Sequence, residues 1–279
     1  MCDVQCQTIA PHIAHRTLHM EHSPMPINLL AINVGNTRTQ FAAFVDNKIQ
    51  SPHRVTHAQT DDLIAALEQA LQPLAGCEDP AIYIASVNDA AAEQVIEVLE
   101  KLSDFEISRM ERDLPVPVGR KLDPETIVGE DRLLNAAAAF DAARGACVVI
   151  DAGTAVTIDL IDGKGTFHGG AILPGAQLML NALHEHTALL PELRFAKPDE
   201  PVGHNTAQAM LTAAYHGIRG AARELTEKYA EILGAYPRVI ATGGDAQTLF
   251  DGYDLIEAIV PELTLLGMAV TRRHAMEQS

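Results

Sequence analysis

Beyond Pro26 the chain falls into alternating apolar and polar blocks. "NLLAINVGNTRTQFAAFVDNKI" reads as an apolar strand, a polar turn around Gly35 and a second apolar strand, the signature of a hairpin. Apolar residues at three- and four-residue steps predict an amphipathic helix near 61–74. A strand "AIYIASV" at 81–87 and a helix over 90–102 follow. A proline-rich connection, 114–124, leads into the helix "GEDRLLNAAAAFDAAR". Strands and helices alternating in this way predict an α/β architecture.

The pattern then restarts. "ACVVIDAGTAVTIDLIDGKGTFHGGAIL" is again an apolar strand, a polar glycine turn and a β-rich strand, with a further strand in "GGAIL". Helices are expected over 175–186 and 206–233, a strand in "RVIATGG", and a closing helix over 261–276. Aligned on their turns, Asn33-Val34-Gly35-Asn36-Thr37 lies over Asp151-Ala152-Gly153-Thr154-Ala155. A repeat of about 120 residues is far longer than any solenoid period. It predicts two similar lobes facing each other, over 27–145 and 146–279.

Residues 1–26 carry no usable period and lack the compact apolar run of a secretory signal. They read as a flexible extension. Cys2 and Cys6 with His12 and His15 suit zinc poorly, because C-x3-C followed by H-x2-H departs from metal-ligand spacing. The remaining cysteines, Cys77 and Cys147, are scattered, as in a reducing compartment. No run of about 18 apolar residues is present to span a membrane. A net charge of −17 argues against non-specific nucleic-acid binding, which needs cationic surface. A phosphate ligand must therefore be held by local donors or by metal. The expected compartment is the cytoplasm.

The two turns hold the candidate chemistry. Gly35 and Gly153 let the backbone approach a ligand and present N–H groups. Thr37, Thr39 and Thr154 add hydroxyl donors, and Arg38 is either a phosphate-binding cation or a solvated side chain. No G-x4-G-K-[ST] loop occurs, so two converging turns would have to grip a nucleotide instead. In "VIATGGDA", Gly243 and Gly244 follow a strand directly; they admit the flat face of a base or ribose, or form an ordinary turn with Asp245 as helix cap. Asp131 and Arg132 open a helix. Either they answer the helix dipole, or Asp131 is a general base and Arg132 binds an anionic group. "HNTAQAM" reads first as a capped helix start. No Ser-His-Asp set or H-E-x-x-H motif is legible.

Taken together in register, "NVGNTRT", "GEDR", "DAGTAVTIDLID", "GGAILPG", "HNTAQAM" and "ATGGDA" resemble the motifs of the type III pantothenate kinases, a branch of the acetate and sugar kinase, heat-shock chaperone and actin superfamily. The resemblance spans 29–270. It implies two duplicated ribonuclease H-like lobes of the actin-like ATPase fold, with the active site in the cleft between them. It further implies transfer of the ATP γ-phosphate to pantothenate, giving 4′-phosphopantothenate in the opening step of coenzyme A synthesis. On that resemblance Asn33, Val34, Gly35, Asn36, Thr37, Arg38, Thr39 and Gln40 form the first ATP phosphate loop. Thr154 contacts the nucleotide from the second turn. Gly129, Glu130, Asp131 and Arg132 hold pantothenate, with Asp131 the proton acceptor and Arg132 near its carboxylate. Asp151 binds a potassium or ammonium ion, Mg²⁺ accompanies ATP, and Thr206 touches the substrate. The family works as a homodimer with pantothenate near the subunit interface.

Three departures from the family pattern stand out. Asn33 replaces an aspartate usually placed to hold the magnesium shell, and an amide carries no negative charge. A tyrosine usual before the G-x-D-R motif has no counterpart; Lys121 lies about there. "IASVND" stands where S-V-x-P is frequent. These keep two alternatives in view: a homologue that binds nucleotide or pantothenate with little turnover, or a kinase with another hydroxyl acceptor.

Overall fold

The computed structural model describes residues 26–57 and 60–278. The expected N-terminal extension and its cysteine–histidine group lie almost wholly outside the described residues. The first half runs β1 (Leu29–Val34), β2 (Arg38–Val45), β3 (Lys48–Thr56), α1 (Thr60–Leu71), β4 (Ala81–Ser86), α2 (Asp89–Leu102), β5 (Glu106–Arg109), β6 (Gly119–Arg120) and α3 (Glu130–Ala143). The second runs β7 (Cys147–Ala152), β8 (Ala155–Ile161), β9 (Thr166–Pro174), α4 (Ala176–Glu185), α5 (Thr206–Leu233), β10 (Arg238–Thr242), α6 (Ala246–Phe250), β11 (Ala258–Ile259) and α7 (Leu263–Gln278).

The two sheets repeat one topology. The first has the order β3-β2-β1-β4-β5 and the second β9-β8-β7-β10-β11, extended at its β9 edge by β6. In each, two antiparallel hairpins are followed by parallel additions on the other side. This is the ribonuclease H-like order, and its duplication is the actin-like ATPase fold. β6 is the exception: it comes from the first half of the chain and pairs in parallel with β9. The strands β3, β5, β6 and β11 and the short α6 carry too few or too mixed residues to stand out in the sequence.

β1 and β7 read as near-continuous apolar runs because each is covered on both faces. Leu29 and Ala31 point to a central core shared with Cys147 and Val149, whereas Leu30, Ile32 and Val34 point outward to α1 and α2. Val148, Ile150 and Ala152 point the other way, to α4, α5 and α6. Between the sheets lie α3 and α7. The alanine run 136–139 of α3 is buried, so small side chains let its neighbours approach on several faces. At Gly267 of α7 a Cβ would strike the Leu134 carbonyl, and the absence of a side chain there sets how closely the two helices cross. Their N-terminal ends open onto one cleft. Among the described residues no helix is long and apolar enough to cross a membrane.

Candidate active site

The β1–β2 turn and the β7–β8 turn meet from opposite lobes. A three-residue loop joins the first pair and closes with Gly35 N donating to Arg38 O at 2.9 Å. A two-residue loop joins the second, closed by Gly153 N to Ala155 O, also at 2.9 Å. Between them lies a cleft of about 220 Å³. From the first turn it is lined by Asn33, Gly35, Asn36, Thr37 and Arg38, with Gln40 behind. The second turn contributes Asp151, Gly153 and Thr154, the end of β10 contributes Gly243 and Gly244, and α3 contributes Asp131. A larger cavity exists elsewhere in the molecule, but none of these residues lines it.

Each wall has a local cause. Gly243 adopts φ +97°, open to glycine at little cost, and a Cβ there would run into Ala152 O and the Asp151 carboxylate. Arg38 reaches across the cleft to Gly244, where its NH1 would stand 3.0 Å from a Cβ. It also favours the charged form of Asp245, whose pKa burial otherwise raises. Asp245 makes no side-chain cap; instead its backbone N–H holds Ala152 O at 2.9 Å.

Asp131 and Asp151 dominate the electrostatics. Burial pushes the Asp131 carboxyl above its usual range, opposed by the N–H of Arg132, which donates to its Oδ1 at 2.8 Å, and by the Arg132 charge. Burial, reinforced by the charge of Asp131, lifts Asp151 to about 6. The amide of Asn135 works against that rise: its Nδ2 donates to Asp151 Oδ2 at 2.9 Å. Thr264 of α7 fixes the amide's orientation by donating to Asn135 Oδ1 at 2.8 Å. A chain of hydrogen bonds thus runs from one lobe's helix through the other's to the second turn. At the rim, Gln40 Nε2 and Arg54 NH2 both donate to Pro261 O, at 3.1 and 3.0 Å, tying β2 and β3 to the approach of α7.

Other residues singled out by sequence fall away from this wall. Val34 is buried behind the turn. Thr39 is fully buried and its hydroxyl bonds His57 Nε2 at 3.2 Å, so it offers no free donor to the cleft. Gly129 caps α3 without a side chain, and Glu130 accepts from Ser86 N at 2.8 Å, clamping α3 to β4. Arg132 is held by buried Asp159 through Nε at 3.0 Å and through NH2, with its guanidinium 5.4 Å from the Phe167 ring centroid. Its NH1 group makes no bond to Asp159. Thr206 is exposed at the start of α5, where Asn205 caps the helix by accepting from Gln208 N.

The departures also find places. In "IASVND", Asn88 caps α2 by accepting from Ala91 N, and Ser86 Oγ accepts from Asn88 N at 2.9 Å. Lys121 is exposed, its backbone N–H on Phe167 O. A tyrosine does reach the Arg132–Asp159 pair, but from α5: Tyr229, whose hydroxyl donates to Ile158 O at 3.2 Å, feels both charges.

Sequence reasoning missed Arg54, Asn135, Asp159, Thr242 and Thr264. Asn135 had a signal: an amide four residues after Asp131, on the same face of an otherwise alanine-rich helix. Asp159 stood inside a quoted motif without a role. Arg54 gave no signal beyond its charge.

Two matching lobes whose hairpin turns face a shared cavity beside half-buried carboxylates define a protein of the actin-like ATPase fold. A crystal structure from Campylobacter jejuni, of a protein assigned to the Baf family of transcriptional activators, superposes with a TM-score of 0.59 at 20% identity, over 89% of this chain and 99% of that one; it supports the fold alone. The family model for type III pantothenate kinase matches residues 29–228. A type III pantothenate kinase of Rhodospirillum rubrum is 37% identical over 88% of this chain and 98% of its own, and one of Ruegeria pomeroyi 34% identical over 89% and 98%. The chain belongs to the type III pantothenate kinase family.

Proposed function

We propose that the protein transfers the γ-phosphoryl group of ATP to the primary hydroxyl of pantothenate, giving 4′-phosphopantothenate and ADP. The observation that carries this reading is the convergence of both glycine turns and Asp131 on one cleft. Phosphoryl transfer asks for alignment and charge neutralisation more than covalent work. N–H groups of the turns, the hydroxyls of Thr37 and Thr154 and the guanidinium of Arg38 meet the phosphates. Asp131 accepts the acceptor's proton as its oxygen bonds to the γ-phosphorus and the bond to the β-phosphate oxygen breaks. Burial suits Asp131 to that task, because a base raised toward neutrality is a stronger one. Arg132, steadied by Asp159, turns its free NH1 to the pantothenate carboxylate.

The cleft's donors are oxygens: Asp131, Asp151, the Asn33 amide and threonine hydroxyls. These suit hard cations, and Asp151, raised by burial and then by its neighbouring carboxylate, gains most from one. In this reading Asp151 holds K⁺ or NH₄⁺. Among the described residues no three or more histidine, cysteine or carboxylate side chains form a metal cluster, which fits a Mg²⁺ that arrives with ATP. Such a cation supplies charge neutralisation at the phosphates.

We further place a homodimer on the face made by β9, α4 and the start of α5. It exposes Ile172, Leu178, Leu183 and Val202, and Leu189 is 90% exposed. Thr206 lies on this face and meets pantothenate across the interface. With ATP as co-substrate, the cytoplasm is the compartment.

Pantothenate-dependent ADP release, with 4′-phosphopantothenate identified by mass, tests the reading. It is expected to need Mg²⁺ and a monovalent cation. No turnover at high enzyme and ATP defeats it, and turnover with other hydroxy acids alone reassigns the acceptor. Asn33 favours a second reading, a binding homologue with weak catalysis. Robust activity of the unaltered chain dismisses that one.

A further inference from the structure

A second cavity, larger than the cleft, lies at the opposite end of the two central helices. α3 leaves the cleft at Asp131 and is capped by Arg144; α7 leaves it at Thr264 and runs past Arg273 and Glu277. At 1.5 Å per residue, that stretch of α3 puts the far end about 20 Å away. There the helices, β6 and the β8–β9 turn enclose about 520 Å³, within the range of small-molecule sites.

Its polar side is cationic. The NH2 groups of Arg144 and Arg273 converge on a single oxygen, Asp141 Oδ1, at 3.2 and 2.8 Å. One negative charge thus faces two guanidiniums. Lys164 adds a third cation from the β8–β9 turn, which Asp162 holds in shape by accepting from Lys164 N and Thr166 N, each at 2.9 Å. Glu277 is the other carboxylate on the wall, and the His274 ring lies against the Gln278 amide. With the imidazole neutral, the wall carries three cations against two carboxylates, in a chain whose net charge is −17. Basic residues at helix C-termini ordinarily answer a partial charge of about −0.5 per helix. That accounts for part of the arginine pair but not for Lys164, which stands on neither helix. The floor is apolar: Val118, Phe140 and Val270.

We propose that this cavity binds a small phosphate monoester with a compact apolar body. Its dianionic head is received by Arg144, Arg273 and Lys164, and its body lies on Phe140 and Val118. Guanidinium forks suit phosphate because they donate two parallel bonds to adjacent oxygens. Three cations against two carboxylates leave the wall net positive, which draws a dianion more strongly than a monoanion.

Calorimetric titration of the full chain with phenyl phosphate, inorganic phosphate and benzoate, without nucleotide or pantothenate, tests this. Phenyl phosphate should bind at one per chain, more tightly than inorganic phosphate, which lacks the body, and than benzoate, which lacks the second charge. The double variant Arg144→Ala/Lys164→Ala, altering two exposed side chains, should weaken it at least about tenfold. Arg38→Ala, in the cleft, should leave it unchanged. Undetectable binding of phenyl phosphate, binding that survives the double variant, or binding lost with Arg38→Ala overturns the proposal. Because no turnover is measured, each result is independent of the kinase reading.

Discussion

The two hairpin turns occupy equivalent places in the duplicated lobes yet have taken opposite electrostatic roles. The β1–β2 turn has a neutral amide, Asn33, at the end of its strand and a cation, Arg38, just beyond its loop. The β7–β8 turn has a half-buried carboxylate, Asp151, at the matching position and no cation, and its loop is one residue shorter. The two lobes share one geometry, and in the proposed reading the residues at matching positions divide the work. The first turn is suited to phosphate, the second to a positive ion. Asp131, from the helix between them, belongs to neither and is the residue we propose for the acceptor.

The largest break of that arrangement is Asp131→Asn. In the proposed reading it removes the proton acceptor while keeping shape, and kcat should fall by about 10²–10⁴; steady-state kinetics at saturating ATP and pantothenate measures it. Asp151→Asn separates stability from function. Folding raises the Asp151 pKa from 3.8 to about 6, so the folded state binds the proton more tightly than the unfolded one. The resulting cost is absent below the unfolded pKa, grows as pH rises through 4 to 6, and is complete above. Removing the charge should therefore stabilise the ligand-free protein at pH 7 by up to about 3 kcal/mol, read by denaturant melts. The gain should vanish near pH 4, while activity falls. A stability gain equal at both pH values contradicts this origin.

Asn135→Leu leaves the Thr264 hydroxyl and Asp151 Oδ2 without their buried partner. A loss of about 2–4 kcal/mol is expected, with Thr264→Val costing about 1 kcal/mol. Asn33→Asp is the gentlest change and erases the contrast between the turns, because it makes both strand ends anionic. Tighter Mg²⁺·ATP binding, by a few-fold, is expected of the added charge; weaker binding would show that the amide is the better ligand here.

Much of this arrangement was legible in the residues. Apolar strands running into glycine turns are local patterns, so both hairpins could be read directly, whereas Asp131 and the Gly243–Gly244 pair stayed ambiguous until the motifs were taken together in register. What escaped depends on partners far apart in the chain. Nothing near Arg132 announces that Asp159, 27 residues on, holds its guanidinium. Nothing in "QFAAF" announces that Gln40 ends on Pro261, 221 residues away. Thr39 looked like a phosphate donor because a turn's threonines are alike in sequence. Strand alternation decides which one faces the cleft, and it sends Thr39 toward His57. β6 was invisible because two residues have no period, and its pairing with β9 is set by the second lobe.

The central claim is that both turns close on one triphosphate, and a double-mutant cycle on ATP affinity tests it most directly. Mg²⁺·ATP would be titrated calorimetrically into the unaltered chain, Thr37→Ala, Thr154→Ala and the double variant. One ATP per chain is predicted, with each single change weakening binding by about tenfold through loss of a hydrogen bond to a charged group, and with measurable coupling between the two. If either threonine can be removed without loss of affinity, or if two ATP molecules bind independently, the turns do not share a nucleotide and the account fails.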